Sequence, residues 1–222
     1  MDDSFDVETT DDRPQAIELT LADAVAQMKK AWINERIARR LLLNRFDLVD
    51  ALMAELENVN KLLEAETDKT KITYGSQRTD IDRVQYVINS YIRTRLHKIE
   101  TDTAAILWEH NERRRAGKED DLLDAREVTF AEIYHHHRFV LFNTSFLSHL
   151  PENVRSLPIA RTGIASRCLA RVTEERDLTG ISVFDMSDPN SEIVVDLPKG
   201  STHLIPYSSI QTQLENGDID LL

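Results

Sequence analysis

The sequence predicts an α + small β protein: an N-terminal helical (A) domain of about four to five helices, one of them long and central, followed by a small β-rich (B) domain. Three observations carry this. Apolar residues recur at helical intervals from about residue 20 to residue 150. After Gly163 the pattern changes to short β-prone runs separated by turn residues. Only 6 Gly and 6 Pro occur in 222 residues, 41% of them hydrophobic and 30% charged, a composition suited to a folded, helix-rich chain. The expected boundaries are an acidic, disordered tail over 1–19, a helical domain over 20–150, a linker over 151–163 and a β-rich domain over 164–222.

The tail lacks apolar periodicity and is rich in Asp, Glu and Thr. Ordered structure is expected from Thr20, an N-cap with Asp23 three positions on, ahead of Leu21, Ala24, Val25, Met28, Trp32 and Ile33 at 3- and 4-residue spacings. A second helix is expected over 46–64, where Leu48, Val49, Leu52, Met53, Leu56, Val59, Leu62 and Leu63 recur. Tyr74-Gly75-Ser76 reads as a break. Beyond it Ile81, Val84, Ile88, Ile92, Leu96, Ile99 and Ile106 mark the long helix, which if unbroken over 77–112 measures about 54 Å. Residues 113–121 form a polar loop, and a fourth helix carries Phe130, Ile133, Tyr134, Val140, Leu141, Phe146 and Leu147 until Pro151 stops it.

In the β-rich part, strands are expected over 167–172, 181–184 and 193–197, punctuated by turns at Leu178-Thr179-Gly180, at 187–190 and at 198–201. Residues 203–207 add a short strand, 209–214 a helical turn and 218–222 a closing strand.

Charge is unevenly spread. The formal net charge is −12, of which residues 1–19 hold −6, residues 151–222 hold −5 and the middle only −1. No segment is a basic domain, which disfavours autonomous duplex binding, because such binding draws its affinity from Lys and Arg on phosphates. The single cysteine, Cys168, excludes an intrachain disulfide and fits a reducing compartment. No run approaches the length of a membrane span and the first residues are acidic, so a cytosolic or nuclear location is expected.

Chemical motifs are sparse. His135-His136-His137 lies in a helical pattern, where successive rings point about 100° apart and do not converge on one ion. Ser201 and His203, with Asp196 upstream, lack the glycines of a nucleophile elbow. No phosphate loop, paired-cysteine motif or zinc-protease motif occurs, so an enzyme has no positive support and no catalytic residue, metal or cofactor is expected. The third helix is the exception that asks for explanation. Arg83, Tyr86, Tyr91, Arg93, Arg95, Leu96 and Lys98 combine aromatic and cationic groups on an amphipathic helix, as a core stripe bordered by a charged face does, and as a face buried against a partner does. A nucleic-acid-binding module using this Arg-rich helix and Arg113-Arg114-Arg115 is the alternative.

Three ordered motifs resemble the Sld-five family, subunit four of the GINS complex. The first is Ala31-Trp32-Ile33-Asn34-Glu35 with Leu41-Leu42. Arg83-Val84-Gln85-Tyr86-Val87 and the run from Ser90 through Tyr91, Arg93, Arg95, Leu96 and Lys98 to Glu100 form the second. The third is C-terminal: Asp196-Leu197, Lys199-Gly200-Ser201, His203-Leu204-Ile205, Tyr207 and Ile210. The sequence departs from the family pattern at Ala38-Arg39 and at Pro151-Glu152. The resemblance implies a helical A domain followed by a β-rich B domain. It implies a nuclear, non-catalytic subunit assembled with three Psf subunits, closest with Psf-one, in a heterotetramer that joins the MCM ring and its Cdc partner in the CMG replicative helicase. Trp32, Asn34, Glu35 and the third-helix residues become subunit-interface or structural positions on this reading. Phe5 and Val7 in the acidic tail become a docking peptide for the trimeric hub Ctf-four, AND-one in animals.

Overall fold

A computed structural model describes residues 21–66, 72–117, 121–155, 167–173, 175–184 and 192–222. Six α-helices precede a small antiparallel β region: α1 (Leu21–Ile37), α2 (Phe46–Ala65), α3 (Ile72–Thr101), α4 (Thr103–Arg115), α5 (Ala125–Ser145) and the short α6 (Glu152–Arg155). The β region holds β1 (Arg167–Val172), β2 (Leu178–Phe184), β3 (Glu192–Leu197), β4 (Thr202–Pro206), α7 (Tyr207–Glu215) and β5 (Ile219–Leu221). The predicted α + β class holds.

The helices differ from expectation in four places, each for a local reason. Gly75 does not break the chain, because one glycine weakens a helix by only about 1 kcal/mol, and α3 opens earlier, at Ile72. The long helix over 77–112 is interrupted at Asp102 (φ −127°, ψ 43°). There the Thr103 hydroxyl donates to the Ile99 carbonyl at 2.6 Å, while the amides of Asp102 and Ile106 keep their bonds four residues back. The result is a kink that separates α4. α5 ends at Ser145 rather than at Pro151, and a 3-10 turn over Leu147–His149 follows. Residues 152–155 of the expected linker are helical, and from residue 156 it lies outside the described residues, as do Thr20, the acidic tail and the turn at 187–190.

α1, α2 and α3 bury a first core around Met28, Leu52, Ile88 and Tyr91. A second core holds Ile99 of α3, Ile106 of α4, Ala131 of α5 and Leu122-Leu123, which lead into α5. Each fully buried aliphatic side chain contributes about 1.5–3 kcal/mol. α5 starts on a capping box: Asp124 accepts from the Arg126 amide and Glu127 from the Asp124 amide.

In the β region, one sheet has the order β4-β1-β5 and the other pairs β2 with β3, all antiparallel. The expected turn at Leu178-Thr179-Gly180 is instead the start of β2, with a register shift between Leu178 and Ile181. Gly180 at φ +76° makes that bulge, and its amide is taken by the Asp196 carboxylate at 3.0 Å. α7 packs its Tyr207, Ile210 and Leu214 into the sheet core. That core also includes Ala38, just past α1, with Ile37 and Leu42 against it, so the β region is seated on the helical part.

Candidate subunit interface

The Trp32-x-Asn34-Glu35 motif faces three ways, as successive positions about 100° apart on a helix must. Trp32 donates its indole N–H to Ser90 Oγ at 2.9 Å and meets Tyr86 edge-on at 6.4 Å, tying α1 to α3. Asn34 Oδ1 accepts the Leu221 amide at 2.9 Å, tying α1 to β5. Beside it Lys30 meets Asp220 at 2.9 Å, and Arg113 of α4 donates to Glu215 of α7 at 2.8 Å. Glu35 is buried and turns inward.

There it meets a closed charge centre. Arg95, wholly buried, uses all five of its N–H groups. Nε and Nη2 donate in parallel to the Glu127 carboxylate at 2.7 and 2.8 Å. Nη1 donates to Glu35 at 3.2 Å and to the Leu42 carbonyl at 2.8 Å, and Nη2 also donates to the Leu122 carbonyl at 2.9 Å. Lys98 spends its three protons on the Glu35 carboxylate, the Glu35 carbonyl and the Arg40 carbonyl at 2.6, 2.6 and 3.0 Å. Two cations thus balance two carboxylates drawn from α1, α3 and α5.

The protonation behaviour follows from this geometry. Burial by itself would lower the Arg95 pKa, but its hydrogen bonds to Glu127, with Tyr91 and Glu35 nearby, raise it well above the ordinary value. Lys98 is held below its ordinary value by burial, against the pull of Glu35. Burial pushes the Tyr91 phenol up to about 12, and the Tyr207 phenol is also raised by burial.

Of the two readings open for this stripe, interface or structural motif, the packing of Tyr91, Arg95 and Lys98 fits the structural one, since they are enclosed by this chain. Arg83, Tyr86 and Arg93 stay on the exposed side of α3, and Leu96 is half-buried. Arg83 pairs with Asp80, three residues back, at 3.0 Å.

The C-terminal motif is a turn scaffold. Gly200 adopts φ +70°, open to glycine without strain, and donates its amide to the Val172 carbonyl at 3.1 Å. The Lys199 amide donates to Asp177 at 2.8 Å. His203 Nε2 lies 2.7 Å from Ser201 Oγ, but the Ser201 hydroxyl is directed to the Pro198 carbonyl, and Asp196 is committed to Gly180. Tyr207 is core; Leu204 is 61% exposed. Phe5 and Val7 lie outside the described residues.

The feature that reading by motif missed is the far half of α5. Phe139, Val140, Leu141 and Phe142 are consecutive and 57%, 46%, 61% and 36% exposed, and Phe146 one turn on is 46% exposed. Four successive helical positions sweep some 300°, so the helix is apolar around nearly its whole circumference, the pattern of a helix enclosed by others. Arg138 holds the root of this segment: it donates to the Glu100 carbonyl at 3.2 Å and stacks over Phe142 at 5.4 Å. Between the end of α3 and α5 runs an open groove lined by Thr101, Tyr134, His137 and Leu141. His135, His136 and His137 are all exposed here. The apolar run was legible in the sequence; its exposure among the described residues was not.

Fold and sites together define a two-part protein, helical then β, with a locked interior and a bare apolar helix end. Residues 167–222, beginning at the first residue of β1, match the family described as DNA replication complex GINS protein SLD5 C-terminus. Over nearly its whole length the chain is similar to DNA replication complex GINS protein SLD5 of Rattus norvegicus, 30% identical over 217 residues that cover 96% of this chain and 95% of the relative. The Mus musculus protein is 31% identical over 92% of this chain and 91% of its own length, and the Homo sapiens protein 28% identical over 96% and 95%. The chain belongs to the SLD5 family of DNA replication complex GINS proteins. No helix among the described residues is long and apolar enough to cross a membrane.

Proposed function

We propose that this chain is a non-catalytic scaffold subunit of a nuclear GINS heterotetramer. Its partners are three Psf subunits, with Psf-one the nearest, and through the MCM ring and its Cdc partner it serves the CMG helicase in initiation and fork progression. One observation carries the reading: the solvent-exposed apolar end of α5 over 139–146. Half-exposed Phe, Leu and Val side chains each stand to gain about 1 kcal/mol or more on burial, and several together suffice for a stable helix-to-helix contact. The closed charge centre fits the same role, since it rigidifies the helices that present that end. The acidic residues around Phe5 and Val7 are proposed as a peptide for the Ctf-four or AND-one hub.

The nucleic-acid alternative loses its central cations to internal bonds, because every donor of Arg95 and Lys98 is occupied and Arg113 is paired with Glu215. Co-purification of the four subunits tests the proposal. Leu141→Asp with Phe139→Asp is expected to release this chain from the other three while leaving its own unfolding unchanged. An intact tetramer carrying both substitutions would overturn it.

A further inference from the structure

Two ridges of side chains lie next to each other on the outer side of α1 and α3. Lys29, Trp32 and Arg36 recur at 3- and 4-residue spacing on α1, and Tyr86, Ser90 and Arg93 at 4- and 3-residue spacing on α3, so each set shares one helix face. Trp32 joins them, through its bond to Ser90 at 2.9 Å and its edge-on contact with Tyr86. Trp32 is level with Ser90, and Glu35 with Arg95 and Lys98, so the two helices run in the same direction. At about 1.5 Å per residue, Arg36 stands about 6 Å beyond Trp32 and Arg93 about 4.5 Å beyond Ser90, with Lys29 and Tyr86 about as far the other way. The patch is thus roughly 10 Å long, with guanidinium groups at one end, an ammonium at the other and aromatic rings between.

Its charges are uncompensated. Lys29, Arg36 and Arg93 are exposed, and among the described residues none of the three is paired with a carboxylate. Arg83 and Arg126, exposed as well, differ: Arg83 meets Asp80 at 3.0 Å and Arg126 meets Asp50 at 2.9 Å. No acid occurs between Arg83 and Ile99, and the one acid between Ala24 and Arg40 is Glu35, which is buried and paired inward. Arg36 sits over the Trp32 ring at 5.3 Å, which holds its guanidinium in place without an anion. Tyr86 is 62% exposed and Ile33, beside Trp32 on α1, 39%, so apolar surface stands open amid the cations.

We propose that this patch binds an acidic segment of another protein, with carboxylates on Lys29, Arg36 and Arg93 and an aromatic or aliphatic side chain on Tyr86 and Ile33. Charge complementarity carries the choice of occupant: a cationic patch free of acids, on a chain of net charge −12, attracts carboxylates there and repels them elsewhere. Trp, Tyr and Arg are also the residue types that anchor protein interfaces. A nucleic-acid strand fits less well, since three cations supply few phosphate contacts and the rest of this acidic chain repels the continuing strand. The patch lies apart from the apolar end of α5, and its binding stands whether or not that end meets other subunits.

Fluorescence anisotropy of a labelled random copolymer of glutamate and tyrosine, titrated with the full chain, tests this. The copolymer is expected to bind, and Arg36→Glu or Arg93→Glu to weaken that binding about tenfold. Tyr86→Ala is expected to weaken it about fivefold, and to change the weaker binding of polyglutamate less. Salt at about 0.5 M, where screening is strong, should weaken it as well. Arg171→Glu, the same change of charge on β1, should leave it nearly unchanged. Each of these residues is exposed, so the variants fold, which an unchanged urea midpoint checks. Failure of the parent chain to bind the copolymer would overturn the proposal. So would equal weakening by Arg171→Glu and Arg93→Glu, the mark of a general charge effect, or tighter binding of oligothymidylate through the same residues, which would give the patch to nucleic acid.

Discussion

The middle of α3 and the far half of α5 assign residue types to opposite places. Around Arg95, charged groups lie in the interior, each donor matched to an acceptor within the chain. Around Leu141, apolar groups lie outside, 36–61% exposed among the described residues. Residue type alone would have sent the arginines to a surface and the phenylalanines to the core. The lesson concerns completeness: a polar cluster whose bonds all close internally is structural, and an apolar segment left open is where something else must bind.

The sharpest way to break this contrast is to open the charge centre. Arg95→Met leaves Glu127 buried without its cation and Glu35 with Lys98 alone, and is expected to destabilise the fold by about 3–5 kcal/mol in urea unfolding; a loss below about 1 kcal/mol would mean the centre is dispensable. Next, Leu141→Asp is expected to leave the chain's own unfolding within about 0.5 kcal/mol of the parent. The same change should weaken subunit assembly by about 2 kcal/mol, near 30-fold, as measured by titration of the partner subunits. Asn34→Ala removes the acceptor of the Leu221 amide and is expected to cost about 1–2 kcal/mol, seen first as faster exchange in β5, where the two parts of the molecule meet.

A smaller effect distinguishes a third kind of site. His110 is buried in α4 and burial holds its pKa below the ordinary histidine value, against Asp121, which raises it, and with Arg114, which lowers it further. Its folded pKa is thus below its unfolded one, near 6.5. The neutral form's stability is fully present above that pH and declines as the pH falls through it toward the folded value. His110→Gln should flatten this acid-side slope, and an unchanged profile would show that other groups govern it. Smallest of all, Arg93→Glu on the exposed side of α3 is expected to change stability by less than about 0.5 kcal/mol.

Much of the architecture was legible in local pattern. The β1 run, the closing strand near Ile219, the helical periods of α1 to α3 and the change of period beyond residue 163 all follow from side-chain alternation, because backbone sterics impose the periods 3.6 and 2 whatever lies nearby. The capping box at Asp124 and Glu127 that starts α5 went unread in the sequence, although its spacing is local. The kink at Asp102 was not legible, because it depends on one hydroxyl taking one carbonyl.

What the chain by itself determined is therefore the order and type of its elements, the charge imbalance between tail and body, and the residues that form its three motifs. Only the tertiary structure decided what those motifs do. A stripe of Tyr, Arg and Lys reads the same whether its cover is another subunit or an acid 32 residues downstream, and an apolar helix reads the same whether its core is its own or a partner's. Burial and pairing are relations between elements distant in sequence, and local periodicity carries no information about which of them meet.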